Sequence, residues 1–206
     1  MQILTFVSSE FPQNCYAAIL NDGIFLVDPG EFTNELADFV NQNSEKIKYI
    51  LLTHTHFDHI GGVAMVKKLC PNAKIVIHTL DAPGLTNPVI SLAAYLGFDH
   101  NNISPDLLVN DNDIIKIGDD SILVMHTPGH SVGSVCYIIN DIIFTGDTLF
   151  ENSIGRTDFP GGSYNELLNS LKKLKSLNGD YTLYSGHGNK TTLAIESAYN
   201  PYIRNI

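Results

Sequence analysis

Residues 53–62 read Thr-His-Thr-His-Phe-Asp-His-Ile-Gly-Gly, which crowds four metal-binding side chains, His54, His56, Asp58 and His59, into six positions. Any fold of this chain has to find a partner for them. Neutral imidazoles gain little from one another, and an unpaired buried carboxylate is costly. A His-rich surface loop would satisfy them with water; a metal site would satisfy them with a cation. Imidazole nitrogen and carboxylate oxygen are ligands of zinc, iron and manganese, so the segment reads as half of a hydrolytic metal site.

Around it, short apolar runs rich in Val, Ile, Tyr and Phe recur between turn residues, as strands do. They lie at 2–6, 15–20, 24–28, 49–53, 74–78, 114–117, 122–126, 135–139, 142–145 and 181–185. Asn21-Asp22-Gly23, Gly118-Asp119-Asp120 and Asn140-Asp141 fall between paired runs and predict hairpin turns. Thr33 is placed to cap a helix in which Leu36, Phe39 and Val40 share a face. A second helix is expected over 60–69, opening at Gly61-Gly62. Ser163 with Glu166 three residues later forms a capping box ahead of Leu167, Leu171 and Leu174. A last helix starts near Thr191 and ends before Pro201. Residues 81–113 read as a loop-and-helix insertion able to form a rim or lid over a site. There is also a weak internal echo. Cys15-Tyr16, Asn21-Asp22 and Asp28 match Cys136-Tyr137, Asn140-Asp141 and Asp147 in order. Two similar halves would give two sheets packed face to face with helices outside; chance similarity of two hairpins is the competing reading.

At 206 residues the chain fits one domain, 1–206, with a substantial core. Its 12 basic and 22 acidic residues give a net charge of −10. That argues against an extended phosphate-binding surface and hence a nucleic-acid partner, though not against a small anion held by one or two local cations. Cys15, Cys70 and Cys136 lack metal-site or redox spacing and read as reduced core residues. The N-terminus lacks a signal-peptide pattern, and no apolar run approaches transmembrane length. The expectation is a soluble, cytoplasmic domain with no membrane partner; its oligomeric state is not legible.

Three further segments place donors at strand ends, where a scaffold holds them firmly. They are Thr127-Pro128-Gly129-His130, Phe144-Thr145-Gly146-Asp147 and Tyr184-Ser185-Gly186-His187-Gly188. With the cluster they supply seven donors, enough for two metals bridged by one carboxylate. Thr-His-Thr-His-Phe-Asp-His, Thr-Pro-Gly-His, Thr-Gly-Asp-Thr and Ser-Gly-His-Gly, in this order, resemble the metallo-β-lactamase superfamily over residues 14–206. The resemblance implies an α+β fold, a four-layer αββα sandwich with the site at one edge of the two sheets. It implies one metal on His54, His56 and His130 and a second on Asp58, His59 and His187, with Asp147 bridging. Two divalent ions are expected, zinc first, with iron or manganese suiting the same donors.

Finer cues resemble the small glyoxalase II-like hydrolases, similar to hydroxyacylglutathione hydrolase without its C-terminal helical domain. These are Gly146-Asp147-Thr148-Leu149-Phe150, Gly155-Arg156-Thr157-Asp158-Phe159, and Gly186-His187-Gly188 followed by Thr191-Thr192, Glu196 and Asn200-Pro201. The implied reaction is hydrolysis of a small-molecule thioester such as S-lactoylglutathione. Two cations sharing a water lower its pKa from ~16 toward ~7. Asp58 is the catalytic candidate, orienting the resulting hydroxide or carrying its proton while coordinating the second metal. The glutathione-contacting residues of the extra domain have no counterpart here, which leaves the thiol carrier open. Asp28, at a strand end, is expected to orient a ligand histidine, a plain turn aspartate being the alternative. Arg156 either meets a substrate carboxylate or pairs with Asp158. His126 reads as a packing residue or a support behind a ligand rather than a ligand, His78 as a satisfied strand-end histidine, Tyr16 as a core strand residue rather than a substrate contact, and His100 as solvated. The leading alternative is a persulfide dioxygenase, which shares Gly-Arg-Thr-Asp-Phe but uses one iron on two histidines and an aspartate. A β-lactamase is disfavoured by Asp147, where that subfamily commonly has cysteine. A non-enzymatic metal-binding protein is the reading from a different class.

Overall fold

The computed structural model describes residues 1–9, 11–100 and 102–206. Its first sheet has six strands in spatial and chain order: β1 (Gln2–Val7), β2 (Asn14–Ile19), β3 (Ile24–Val27), β4 (Ile47–Leu51), β5 (Lys74–His78) and β6 (Leu107–Val109). The first three run antiparallel, and β3 to β6 run parallel. The second sheet is built from β7 (Ile114–Ile117), β8 (Asp120–His126), β9 (Val135–Ile139), β10 (Ile142–Gly146), β13 (Thr182–Ser185) and β14 (Thr191–Thr192). Its spatial order is β14-β13-β10-β9-β8-β7, with β10 and β13 the parallel pair. A small hairpin, β11 (Leu149–Phe150) and β12 (Ser153–Ile154), follows β10.

Strand alternation sorts each apolar run into two cores, because successive side chains leave opposite faces. From β2 and β3, Tyr16, Ala18, Phe25 and Val27 meet Val135, Tyr137, Ile139 and Phe144 of the second sheet. Their neighbours Cys15, Ala17, Ile24 and Leu26 face the other way, against Leu36 and Val40 of α1 (Asn34–Asn43) and Val63 and Val66 of α3 (Val63–Leu69). On the far side Cys136, Ile138 and Ile143 pack with Leu167, Leu171 and Leu174 of α5 (Tyr164–Lys175) and Leu193 of α6 (Leu193–Tyr199). Both faces of both sheets are therefore covered, giving the expected α-β-β-α layering. Thr33, Ser163 and Thr192 cap α1, α5 and α6, each hydroxyl accepting a backbone N–H three residues on.

The echo between the halves coincides with structure. The β2–β3 and β9–β10 hairpins occupy corresponding places, with Cys15 and Cys136 facing helices and Tyr16 and Tyr137 facing the opposite sheet. The strands β3 and β10 lead directly to Asp28 and Asp147.

Some boundaries differ from expectation. The helix expected over 60–69 is two pieces, α2 (Phe57–Ile60) and α3, because Gly61 and Gly62 pass against the carbonyls of Gly30 and Pro29. The strand expected over 49–53 begins at Ile47 and stops at Leu51, where the chain turns into the histidine cluster. Residues 81–113 contain a helical turn, α4 (Ala93–Leu96), as anticipated, and also the edge strand β6, whose half-exposed Leu107 and Leu108 give no alternating pattern. His100, expected to be solvated, has its Nε2 3.0 Å from the Gly84 carbonyl. Cys15, Cys70 and Cys136 are free and buried. No described helix is long and apolar enough to cross a membrane.

Candidate metal centre

Every donor stands where a strand has just ended. Beyond β4 the chain carries His54 and then His56, which is extended, and α2 presents Asp58 and His59. His130 lies in the β8–β9 connection, Asp147 follows β10 and His187 follows β13. The adjoining parallel pairs β3–β4 and β10–β13 aim their C-terminal ends at one edge of the sandwich. Tyr16 Oη and Tyr137 Oη donate to the Ser185 and Leu52 carbonyls, fixing the two sheets against each other there.

The side chains gather into two groups that could each hold an ion: His54, His56 and His130, and Asp58, His59 and His187. Asp147 lies between them, Oδ1 3.3 Å from His59 Nε2, and Oδ2 3.4 Å from His130 Nε2 and 3.6 Å from His187 Nε2. Asp58 Oδ2 is 3.3 Å from His187 Nε2. All seven anticipated donors are thus brought together. His54 Nε2 is buried with no hydrogen-bond partner, and the buried His59 Nε2 and Asp147 Oδ1, 3.3 Å apart, have none besides each other. Buried polar atoms are rarely left so, and three at one point fit a site for cations.

The outer nitrogens of the rings are occupied in a way that leaves the inner ones free. His59 Nδ1 meets Asp28 Oδ2 at 2.9 Å, His130 Nδ1 meets the Arg156 carbonyl at 2.8 Å, and His187 Nδ1 meets the Pro12 carbonyl at 2.7 Å. His54 Nδ1 lies 3.1 Å from Thr53 Oγ1. Each such bond places the proton on Nδ1 and turns the Nε2 lone pair inward, as metal-binding histidines require. With His130 so oriented, its Nε2 faces His56 Nδ1 at only 2.8 Å. Two ring nitrogens this close need a shared proton or cation between them.

The charges agree. Burial, then the neighbouring imidazoles, pushes His54 well down and His56 down to about 3, so both are neutral ligands at ordinary pH. Asp147 and Asp58 are opposed by burial but held below the usual carboxylate range by His59 and its neighbours. His59, despite its burial, is pushed well up by Asp147, Asp58 and Asp28. A proton there does what a metal ion would do, balancing carboxylates in a dry site.

Asp28, expected to orient a histidine, lies with its Oδ2 2.9 Å from His59 Nδ1. It adopts the left-handed conformation (φ 48°), and its two oxygens also accept from Thr53 N (2.7 Å) and Thr53 Oγ1 (2.5 Å). A third cluster of potential ligands, Asp28, His54 and His59, exists on distance alone. Asp28 is already used by Thr53 and His59, so it is a positioning residue. The Arg156 side chain pairs bidentately with Asp158 (2.7 Å to each oxygen) and lies 3.9 Å over the Phe159 ring. Of its two expected roles, the clamp is the one present, and its carbonyl holds His130. His126 and His78 stack on each other (4.2 Å, 8°) and are not among the donors.

The sequence reading missed Asp81. Only 2% exposed, it accepts from Gly133 N (2.7 Å), Ser131 Oγ (2.8 Å) and Thr55 N (3.2 Å), tying the loop of His54 and His56 to that of His130. Its sequence context, Leu-Asp-Ala-Pro, is that of any turn aspartate.

A profile of the metallo-beta-lactamase superfamily matches residues 9–187. The chain belongs to that superfamily. It is 31% identical to hydroxyacylglutathione hydrolase GloC of Haemophilus influenzae, over 98% of each chain. Among solved structures it is similar to BLEG-1, a B3 metallo-beta-lactamase, with a TM-score of 0.91 and 33% identity over 98% of this chain and 99% of that one. It is also similar to TTHA1623 in a di-iron-bound form, with a TM-score of 0.85 and 31% identity over 97% and 99%. The chain is a metal-dependent hydrolase of this superfamily.

Proposed function

We propose that the protein is a binuclear thioester hydrolase of the glyoxalase II type, its class of substrate being hydroxyacyl-thiol conjugates such as S-lactoylglutathione. The observation that carries the reading is the pair of complete donor groups joined by Asp147, with their orphaned ring nitrogens turned inward. Similarity to GloC supports the thioester, and the di-iron form of TTHA1623 supports two ions. Two divalent ions, zinc first with iron or manganese as alternatives, would occupy His54, His56 and His130, and Asp58, His59 and His187. When bound, they polarise a substrate carbonyl and acidify water.

The chain's own residues do the rest. The Asp58 side chain is 17% exposed and lines a recess of about 480 Å³ beside the other donors, so its carboxylate can orient the attacking water and take its proton. Asp28, Thr53 and the carbonyls of Pro12 and Arg156 keep four imidazoles in the required tautomer. Phe57, Phe150 and Phe159 line the recess and limit water around the reacting carbonyl. A thiolate leaves readily, so no separate general acid is needed.

The test is free-thiol release from S-D-lactoylglutathione by protein reconstituted separately with zinc, iron and manganese, with Asp147→Ala as control. Metal-dependent turnover lost in the variant is expected. No turnover of this or any other thioester with two ions bound would refute the reading and favour β-lactam hydrolysis, which the similarity to BLEG-1 supports and a chromogenic cephalosporin would reveal.

A further inference from the structure

The Thr191, Glu196 and Asn200 pattern near the end of the chain closes into one buried network, and the metal centre uses none of it. Glu196 lies on α6 and Asn200 at its end, one turn apart and both fully buried. Glu196 Oε1 accepts from Thr191 Oγ1 at 2.7 Å, and Oε2 accepts from Asn200 Nδ2 and from the backbone N–H of Asn152, each at 2.8 Å. Asn200 Nδ2 also lies 3.0 Å from the Ser153 carbonyl and 3.3 Å from that of Phe150. Phe150, Asn152 and Ser153 all belong to the β11–β12 hairpin.

That hairpin is part of the wall of the recess beside the donors. Phe150 and Ile154 line it, with the Phe150 ring edge-on to His187 at 5.9 Å. The base of the hairpin is fixed from the metal centre: Asp147 stands two residues before Leu149, and Gly155, just after Ile154, passes so close to the Asp147 carbonyl that a Cβ would overlap it. Its turn has no such support of its own. Of Glu151 and Asn152 only the second has a positive φ, 56°, whereas the two-residue turns that match strand twist need one at the first position or at both. So short a hairpin is not stable alone. Glu196 and Asn200 hold it from α6, and Asn189 Nδ2 donates to Glu151 Oε2 at its tip (2.9 Å).

We propose that Glu196 and Asn200 are positioning residues that lock the β11–β12 hairpin as a preformed wall of the substrate recess. In the thioester hydrolase of the proposed function, on which the kinetic side of this rests, they serve binding rather than the chemical step, because they bond the hairpin and Thr191 and not the metal donors. With the lock released, the Asn152 N–H loses its acceptor and the hairpin lifts away to find water. The substrate then has to reorder Phe150 and Ile154 as it binds, and that cost falls on KM. The Glu196 carboxylate acts as an acceptor rather than as a charge. A glutamine can keep its carbonyl toward Asn152 and Asn200 and donate from its amide to Thr191 Oγ1, whose oxygen also accepts.

The experiment compares the metal-loaded parent with Glu196→Ala and Glu196→Gln, by S-D-lactoylglutathione kinetics and by hydrogen–deuterium exchange over residues 148–156. Glu196→Ala should keep both ions, raise KM about tenfold with kcat within about twofold of the parent, and speed exchange in the hairpin about tenfold. Glu196→Gln should bring both readouts back to within about threefold of the parent. Asn200→Ala, which leaves Glu196 its other two donors, should show the same split at about threefold, and it stands in should Glu196→Ala not fold. Folded alanine variants with KM or hairpin exchange unchanged, a fall in kcat at constant KM, or a glutamine variant as impaired as the alanine one would overturn the proposal and leave the thioesterase reading standing. A parent that cleaves no thioester with both ions bound would instead refute that reading, and hairpin exchange in the variants would then decide the lock by itself.

Discussion

Removing the Asp81 carboxylate should loosen the metal centre without touching a ligand. Asp81→Ala leaves the buried N–H groups of Gly133 and Thr55 without their acceptor, while Ser131 Oγ retains Ser134 Oγ at 2.7 Å. A buried donor left unpaired costs about 1–3 kcal/mol, so two cost about 2–6 kcal/mol. Part of this is recovered, because burial pushes the Asp81 carboxyl up against the pull of its three donors, meaning the charge itself is held at some expense. The net expectation is a loss of about 2–4 kcal/mol in urea unfolding of the metal-free protein. Thr55 separates His54 from His56 and Ser131 follows His130, so metal affinity should fall about 10- to 100-fold beyond the stability change. Asp81→Asn, which keeps one accepting oxygen, should lie between. The assay pairs denaturant titration with competitive chelation of each variant. An Asp81→Ala protein within about 0.5 kcal/mol of the parent, with its metal affinity unchanged, would show that this network does not position the site.

Three further outcomes follow from the same geometry. Asp147→Ala should weaken both ions together, read by elemental analysis after gel filtration; full metal content with turnover would contradict its bridging place. Gly186→Ala should reduce metal content while leaving the far-ultraviolet circular dichroism intact, because its Cβ would press on Asp147 Oδ1 and the His59 ring; an unchanged metal content would count against the crowded geometry. His78, which burial and then His126 push down to about 4, is protonated in the unfolded chain first. Its contribution is complete above about pH 6.5 and lost as pH falls toward 4, so His78→Gln should lose about 1–2 kcal/mol less than the parent between pH 7 and 4.5, with both proteins metal-free. Parallel pH–stability curves would remove His78 from the account.

What the sequence made legible was what period and chemistry encode locally. The short apolar runs between turn residues placed ten strands close to their observed positions. The seven donors were legible because few segments other than metal sites concentrate imidazole and carboxylate at strand ends. Thr33 and Ser163 announced their helices through one hydroxyl each. What stayed hidden was relational. Asp81 acts on loops 26 and 50 residues away in the chain, and nothing in Leu-Asp-Ala-Pro says so. The Arg156 carbonyl serves His130 with a backbone atom that every residue has. The recess beside the donors takes part of its lining from Leu92, Leu96 and Phe159, side chains that in sequence look like ordinary core or loop residues.

The division of donors between the two sheets has a mechanical consequence. The β1–β6 half contributes His54, His56, Asp58 and His59, and the β7–β14 half contributes His130, Asp147 and His187. Each proposed ion therefore takes ligands from both halves, and His59 is gripped by Asp28 from one and Asp147 from the other. Once bound, the ions would act as rivets through the seam of the sandwich. Two fragments cut between β6 and β7 should reassemble more tightly in the presence of metal than in its absence, so that the same atoms serve as reagent and as fastening.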